Sequence, residues 1–306
     1  MSLRLKKLKI EKLFNQKDIE LDFKDVTVLV GKNGLGKTTI LKILNAVLTN
    51  DLKCHELSLC KSAELTFDTG EIIHYKKNST ISEELDHIID SMLNKKEVTP
   101  SELEIIKIYM QKRTIQFSSK NIKERLNREV NICYISTLNM SANSRQEITK
   151  SDGRTKKILD WELEEDLKKL TQHKESIYAE KFEKVVSSLF IDSGKYVKIT
   201  NNESVDFYDS KSNELIELGA LSSGERQLIY ILTRIANTQG QPTFLLMDEP
   251  EISLHLNWQE KLIENIMEIN NQCQIVVVTH SPAIIMDGYM DSYVDIKEIT
   301  TELPNG

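Results

Sequence analysis

The stretch that decides the fold is Gly31-Lys32-Asn33-Gly34-Leu35-Gly36-Lys37-Thr38, which matches G-x-x-x-x-G-K-[ST] at every fixed position. The apolar run VTVLV at 26–30 precedes it and predicts a buried strand, and TTILKILNAVL follows it and predicts a helix. A glycine-rich loop in this context turns its N–H groups around phosphate oxygens, and the helix adds its positive N-terminal end. The sequence therefore predicts a phosphate-binding loop.

Two side chains of this loop have separate predicted roles. Lys37 is expected to neutralise the β- and γ-phosphates of ATP, and the Thr38 hydroxyl is expected to bind Mg²⁺. The predicted nucleotide-binding positions of the loop are Asn33, Gly34, Leu35, Gly36, Lys37, Thr38 and Thr39.

A second apolar run, FLLM at 244–247, ends abruptly in Asp248 and Glu249. Two acids at the end of a buried strand are costly unless they have a task. We expect Asp248 to hold Mg²⁺ through its water shell and Glu249 to polarise the water that attacks the γ-phosphate.

A third buried run, QIVVVTH at 274–280, delivers His280 at its carboxyl end, where ligands bind in open α/β sheets. A lone histidine at a strand end is most often structural. The spacing of His280 after Asp248 and Glu249 instead favours a contact with the γ-phosphate and a role in positioning the attacking water.

The run LSSGERQ at 221–227 is a turn of small residues that opens a helix predicted over 225–237. It resembles the signature motif of ABC ATPases. That resemblance implies that the signature binds the γ-phosphate of a nucleotide held by the other protomer, in keeping with an anion at a helix start. A plain helix N-cap at Ser222 or Ser223 is the alternative explanation. The positions implied are Ser222, Ser223, Gly224 and Glu225.

Within the ABC ATPases, this chain resembles the SMC/RecF-like and OLD-like branch of DNA-repair and anti-phage systems. Transporter subunits usually read LSGGQ and DEPTSALD, whereas this chain has LSSGERQ and DEPEISLH. The resemblance covers the first 50 and roughly the last 90 residues. It implies a P-loop NTPase fold of the ABC type, α/β with a mostly parallel sheet, a β-rich N-terminal edge and a helical insertion. It also implies ATP and Mg²⁺ as cofactors and a homodimer joined through an ATP sandwich.

Some positions depart from the family pattern. A proline often follows the Leu-His pair in the family, but here Leu256-Asn257 follows it, and no basic residue directly follows Phe14. A glutamine-loop residue is expected after the strand predicted at 131–136, and Asn139 and Gln146 are its candidates.

Hydrophobic periodicity predicts three parts: residues 1–80 and 191–306 as the two halves of the ATPase domain, and 81–190 as a largely helical insertion that also contains the core strand 131–136. From about 82 to 128 the pattern is helical, with a helix start at Thr99-Pro100-Ser101-Glu102. Residues 139–155 read as a loop, and 157–190 contain no glycine or proline and predict a long helical stretch.

Charge is unevenly distributed along the chain. The net charge is −7, yet residues 107–157 carry twelve Lys or Arg against four acids. This local +8 predicts either a surface for nucleic acid or an acidic partner, or merely a solvated helical face and loop.

Composition and length limit the remaining possibilities. No run approaches an apolar transmembrane helix and the first residues alternate like a strand, so we expect a cytoplasmic protein with no membrane contact. The four scattered cysteines read as reduced thiols. Only 26 residues follow His280, so we expect any effector or nuclease to be a separate chain.

These features favour an ATP-hydrolysing, nucleotide-gated dimer that serves as the ATPase component of a bacterial anti-phage defence or DNA-repair complex. The alternatives are the nucleotide-binding subunit of a membrane transporter and a scaffold that binds ATP with little turnover.

Overall fold

The computed structural model describes residues 3–77, 113–136, 147–149, 155–200, 204–286 and 288–304, together with residues 92, 99 and 101. The chain forms two compact units. One comprises residues 1–132 with 294–306, and the other comprises residues 133–293.

Within the described residues, the strands are numbered in chain order. They are β1 (Leu5–Leu13), β2 (Lys17–Asp22), β3 (Val26–Val30), β4 (Ser62–Phe67), β5 (Ile72–Lys77), β6 (Arg113–Phe117), β7 (Asn131–Ile135), β8 (Glu147–Thr149), β9 (Thr155–Lys157), β10 (Lys195–Ile199), β11 (Val205–Asp209), β12 (Leu215–Ile216), β13 (Thr243–Asp248), β14 (Cys273–Val278), β15 (Tyr293–Asp295) and β16 (Thr300–Glu302).

The α-helices are numbered in the same way. They are α1 (Lys37–Thr49), α2 (Lys120–Glu129), α3 (Ile158–Gln172), α4 (Ile177–Leu189), α5 (Ser223–Ala236), α6 (Leu256–Glu260), α7 (Leu262–Ile269) and α8 (Ala283–Met286). Short 3₁₀ turns occupy His55–Leu59, Ile191–Ser193, Leu218–Ala220 and Met290–Ser292.

The first unit is built on a six-stranded antiparallel sheet in the order β16-β2-β1-β4-β5-β6. In β2, buried and more exposed residues alternate strictly, which is the pattern of a strand with one face on a core. Strands β4 and β5 pair antiparallel across the turn Asp68-Thr69-Gly70 and form a hairpin. Helix α1 packs against β4 and β5 through its apolar side chains.

The predicted helical reading of residues 82–128 is wrong at 113–117. These residues form β6, which pairs with β5 at the edge of the sheet. The Arg113 side chain is buried, with an exposed fraction of 1%. Helix α2 follows, and the Ser119 hydroxyl caps it by accepting a hydrogen bond from the Ile122 N–H.

The second unit contains the parallel pair β13 and β14, in register from Thr243 with Cys273 to Asp248 with Val278. Every residue of both strands is buried, as expected for parallel strands covered on both faces. Strand β7 lies beside β13 in the same sheet. Helix α5 is buried along most of its length and packs against α3, α4 and α7.

The helical stretch predicted over 157–190 is divided into α3 and α4. The chain turns at residues 173–176, and the Ser176 hydroxyl starts α4 by accepting from the Ala179 N–H. The sequence gives no signal of this break, because residues 173–176 contain neither glycine nor proline.

Helix α3 is fastened to α5 by polar contacts along one face. Arg226 donates to the Asp160 carboxylate over 2.7 Å. One turn further, the Tyr230 hydroxyl donates to the Glu162 carboxylate over 2.6 Å. The start of α3 and the start of α5 are therefore linked by side chains as well as by packing.

Among the described helices, none is both long enough and apolar enough to cross a lipid bilayer. Cys54, Cys60, Cys133 and Cys273 are free cysteines. Burial raises the pKa of the Cys60 thiol to about 12, which makes it a poor nucleophile.

Candidate functional site

The predicted phosphate loop joins β3 to α1 and packs closely against the rest of its unit. A Cβ added at Gly31 would lie 2.5 Å from Ile296 Cγ2, and one added at Gly36 would lie 2.9 Å from the Phe14 ring. Both glycines have positive φ, 151° and 89°. Glycine is needed at both positions for space and for backbone geometry.

The start of α1 is built to receive an anion. Its N-cap, Gly36, has a left-handed backbone and provides no side-chain cap, and the first turn carries no acidic residue. The Lys37 ammonium donates to the carbonyl oxygens of Gly31 (2.7 Å) and Lys32 (3.2 Å), so it lies across the loop. An uncapped helix start beside a lysine fits a phosphate group.

A cavity of about 320 Å³ lies next to the loop in the same unit. Its apolar wall is formed by Leu35 and Ile296. Lys17, which is largely buried, donates from its ammonium to the Leu35 carbonyl oxygen over 2.8 Å. No basic residue directly follows Phe14 in sequence, yet Lys17 reaches the loop from the start of β2. The cavity is lined by Lys17, Leu35, Ile296, Lys297, Thr300 and Glu302.

In the second unit, β13 ends at Asp248, whose exposed fraction is 3%. The next residue, Glu249, has a φ of 50°, in the left-handed region that non-glycine residues rarely adopt. Its N–H donates to the Val278 carbonyl oxygen over 2.7 Å, which extends the pairing of β13 with β14 by one residue. The backbone is thereby held in a conformation that turns Glu249 out of the strand.

Glu249 and His280 lie together at the carboxyl ends of these two strands. His280 Nε2 is 3.4 Å from Glu249 Oε1. Both side chains are partly exposed, at 38% for His280 and 30% for Glu249, so they are accessible from solvent. A carboxylate paired with an imidazole in this way can accept a proton from a water molecule.

The predicted signature residues form the start of α5. The Ser222 hydroxyl accepts from the Glu225 N–H (3.2 Å), and the Glu225 carboxylate accepts from the Ser222 N–H (2.8 Å), which together make a capping box. The N-cap alternative for Ser222 is thus confirmed. The capping box leaves open the phosphate-binding role, since the first-turn N–H groups of Ser223 and Gly224 have no partner within an α-helix.

Glu225 is nearly buried and is paired with Lys195, whose ammonium donates to both carboxylate oxygens (2.7 and 2.9 Å). Burial acts to raise the pKa of Glu225, but hydrogen bonds from Lys195 and from the Ser222 N–H outweigh it, so its pKa lies below the ordinary value. The start of α5 therefore holds an ionised carboxylate neutralised by a lysine.

The turn that follows Glu249 contains contacts that sequence reasoning missed. Glu251 accepts hydrogen bonds from the backbone N–H groups of His280 (2.8 Å) and Ser281 (3.2 Å). Gln227 of α5 donates to the Pro250 carbonyl oxygen over 2.6 Å. The sequence signal for Glu251 was its place in the run DEPEISLH, which marked a family pattern and carried no geometric information.

The structure thus brings Glu249 and His280 together and sets the start of α5 against the turn that follows Glu249. Lys37 and Thr38 lie in the first unit, at the start of α1. The glutamine-loop candidates Asn139 and Gln146 lie outside the described residues.

The chain is similar to several known proteins. The chain is 24% identical to the Septu protein PtuA of Bacillus thuringiensis, in an alignment that covers 99% of this chain and 80% of that protein. It is 26% identical over 107 residues to the retron Vc95 probable ATPase of Vibrio cholerae serotype O1 biovar El Tor, covering 31% of this chain and 21% of that one.

The fold is similar to that of the SMC head domain from Thermotoga maritima, with a TM-score of 0.55, 16% sequence identity and 99% of each chain covered. This similarity confirms the predicted P-loop NTPase fold class of the ABC ATPase type. Residues 26–287, well over half of the chain, match one family model. The chain therefore belongs to the P-loop ATPase family described as "AAA domain, putative AbiEii toxin, Type IV TA system".

Proposed function

We propose that this protein is a Mg²⁺-dependent ATP hydrolase that works as a nucleotide-gated dimer. The observation that carries the proposal is the pair formed by Glu249 and His280, 3.4 Å apart at the ends of two buried parallel strands. Glu249 acts as the base that polarises the attacking water, and His280 holds the γ-phosphate and helps to position that water.

The nucleotide binds at the start of α1. Its phosphates lie in the loop from Asn33 to Thr39, where Lys37 neutralises negative charge and backbone N–H groups donate hydrogen bonds. Thr38, through its hydroxyl, and Asp248, through its carboxylate, are the residues that would hold Mg²⁺, and the ion would supply positive charge to the phosphates. The uncapped, acid-free first turn of α1 supports this assignment.

We assign the base and ribose to the cavity beside the loop. The cavity adjoins Leu35 of the loop, has an apolar wall and is rimmed by polar groups, which suits a nucleoside. Lys17 fixes the edge of this cavity through its bond to the Leu35 carbonyl oxygen.

The dimer closes when the signature residues of one protomer bind the γ-phosphate held by the other. Ser222, Ser223, Gly224 and Glu225 supply the start of α5, and the neutral Lys195–Glu225 pair removes the repulsion that a lone carboxylate would exert on phosphate. ATP therefore favours the closed dimer, and hydrolysis favours its opening.

The proposed setting is an anti-phage defence or DNA-repair complex in which this chain controls a separate effector or nuclease chain. The run DEPEISLH and the similarity to a Septu protein and a retron ATPase support this setting. Pull-down of a co-encoded chain in the presence and absence of ATP tests it.

The test of hydrolysis compares the parent with Lys37→Ala, Glu249→Gln and Lys53→Ala. Lys53→Ala is the control, because Lys53 is an exposed lysine of the same unit, just after α1. We expect Lys37→Ala to lose ATP binding, Glu249→Gln to bind ATP without turnover and form a stable dimer, and the control to match the parent. If Glu249→Gln hydrolyses ATP at the parental rate, Glu249 is not the base. If the parent binds ATP but does not hydrolyse it, the protein is a scaffold that binds ATP.

A further inference from the structure

We infer that Glu251 is a positioning residue that sets His280 against Glu249, an inference that rests on the proposed hydrolysis. One oxygen of the Glu251 carboxylate, Oε1, accepts from two successive backbone N–H groups, those of His280 (2.8 Å) and Ser281 (3.2 Å). The His280 N–H belongs to the peptide group before the His280 Cα and the Ser281 N–H to the one after it, so these two bonds fix both peptide planes that flank His280. The direction in which the His280 side chain leaves the backbone is therefore set by Glu251.

The segment that bears Glu251 is itself anchored. On one side, Gln227 of α5 donates to the Pro250 carbonyl oxygen over 2.6 Å. Within the turn, the Leu254 N–H donates to the Glu251 carbonyl oxygen over 2.9 Å. Glu251 therefore holds the His280 loop against a fixed support and would not follow it if it moved.

A second link joins the same turn to the same loop. The Ser281 hydroxyl donates to Gln259 Oε1 over 2.6 Å, and Gln259 Nε2 donates to the Leu254 carbonyl oxygen over 2.8 Å. The loop that carries His280 is thus tied at two places to the turn that begins at Glu249. The 3.4 Å separation of Glu249 and His280 is a consequence of this common anchoring.

The contacts of Glu251 separate its role from that of Glu249. Glu251 Oε1 is occupied by two N–H donors, and Oε2 is buried, with no hydrogen-bond partner among the described residues. One oxygen of Glu251 is thus bound to the backbone and the other is out of contact with solvent, whereas the Glu249 side chain is 30% exposed. Glu251 therefore acts through His280, whereas Glu249 acts on the water.

The first test measures backbone amide hydrogen exchange of a peptide spanning 279–282 in the absence of nucleotide. Because this readout does not depend on turnover, it separates the clamp from the proposed hydrolysis. We expect exchange about tenfold faster in Glu251→Ala and unchanged in Glu264→Ala, an exposed glutamate of α7 that serves as the matched control. Glu251→Gln keeps an acceptor oxygen and should restore protection. Unchanged exchange in Glu251→Ala would overturn the inference.

The second test is a double-mutant cycle on ATP hydrolysis. Glu251→Ala should lower kcat about tenfold with an ATP Kd within about twofold of the parent, since only the geometry of the reacting groups is disturbed. On a His280→Ala background the same change should have little further effect, because its target is gone. Effects that simply multiply would show that Glu251 acts elsewhere and would overturn the inference.

Two further results can be interpreted: a Glu251→Ala variant that does not fold, and a parent that does not hydrolyse ATP. If Glu251→Ala does not fold, Glu251→Asp withdraws the acceptor oxygen by one methylene group and supplies the same comparison. If the parent shows no turnover, the proposed hydrolysis fails, while the exchange experiment still decides whether Glu251 holds the His280 loop.

Discussion

Gly224 and Ser253 are in backbone contact: a Cβ added at Gly224 would overlap the Ser253 carbonyl oxygen. The obstructing atom belongs to the backbone of the turn after Glu249 and cannot rotate away. The start of α5 therefore approaches that turn as closely as a glycine allows.

Gly224→Ala should lower the free energy of unfolding by about 1–3 kcal/mol, because overpacking at a backbone contact displaces the turn. Chemical denaturation of the variant and of Gly219→Ala measures this effect. Gly219 has nothing within 4 Å of its added Cβ and is the matched control. Equal stability of the two variants would show that the turn moves freely.

Protomers that carry Lys37→Ala and protomers that carry Ser223→Arg should regain partial ATPase activity when mixed. One site of each heterodimer then has both an intact phosphate loop and an intact start of α5, while the other site has neither. ATPase activity of the mixture is measured against each variant alone. If heterodimers form but ATPase activity is not recovered, either the signature residues do not act on the nucleotide of the other protomer, or each site hydrolyses ATP only when the other site is also intact.

Lys195→Met should destabilise the protein at pH 7 by about 2 kcal/mol, because it leaves the nearly buried Glu225 carboxylate without its charged donor. In the parent the folded pKa of Glu225 lies below its ordinary value of 4.5, so the stabilisation is present above that pH and is lost as the pH falls through the folded pKa. The difference between the two proteins should therefore shrink on acidification. Urea denaturation at several pH values measures it.

The control for that experiment is Lys184→Met. Lys184 pairs with Glu268, but its side chain is 77% exposed, so its loss should change stability by less than about 0.5 kcal/mol. A Lys195→Met variant as stable as Lys184→Met at pH 7 would contradict the importance assigned to the Glu225 pair.

Thr300→Trp should weaken ATP binding at least about tenfold and leave the affinity for inorganic tripolyphosphate unchanged, because the indole fills the cavity proposed for the nucleoside. Thr301→Trp is the matched control, since successive residues of β16 point to opposite faces of the sheet. Calorimetric titration with both ligands measures the two affinities. Equal ATP binding by both variants would place the nucleoside elsewhere.

If the basic segment 107–157 contacts phosphates, a triple charge-reversal variant should bind double-stranded DNA more weakly and with a smaller salt dependence. The variant is Lys120→Glu/Lys123→Glu/Arg128→Glu. These three residues are exposed on α2, whereas Arg113 is buried and unsuited to such contact; Lys112 lies outside the described residues. Each lost phosphate contact should lower the slope of log K against log salt by about 0.9.

The charge-matched control for DNA binding is Lys184→Glu/Lys198→Glu/Lys211→Glu, three exposed lysines of the second unit. DNA binding that is equal in both triple variants would leave the segment as a solvated face. ATPase activity should stay at the parental level in both.

Local patterns allowed much of the fold to be predicted from sequence. The strand, loop and helix around Gly31–Lys37, and the buried strands β13 and β14, are recognisable because each is a continuous apolar run with a defined end. Strand β6 was predicted as helix, because RTIQF has little periodicity of its own and is a strand through its pairing with β5.

Some contacts of the candidate site could also be predicted from the sequence, and others could not. Glu249 and His280 were proposed from strand ends, and their proximity follows from the parallel register of two adjacent strands. Lys17 and Glu251 were not assigned roles, because their partners lie 18 and 29 residues away and depend on how turns fold back. The roles of these residues in hydrolysis remain predictions.

At Glu249 the left-handed backbone conformation lowers the stability of the fold, whereas the side chain is the one assigned to hydrolysis. For a non-glycine residue this conformation costs roughly 1–2 kcal/mol, so asparagine or glycine at 249 would relax the backbone and make the protein harder to unfold. Either replacement would also remove the carboxylate assigned to the reaction. If Glu249 is the base as proposed, a selection for heat resistance alone would enrich inactive variants, and stabilising substitutions in this protein should be placed at positions other than 249.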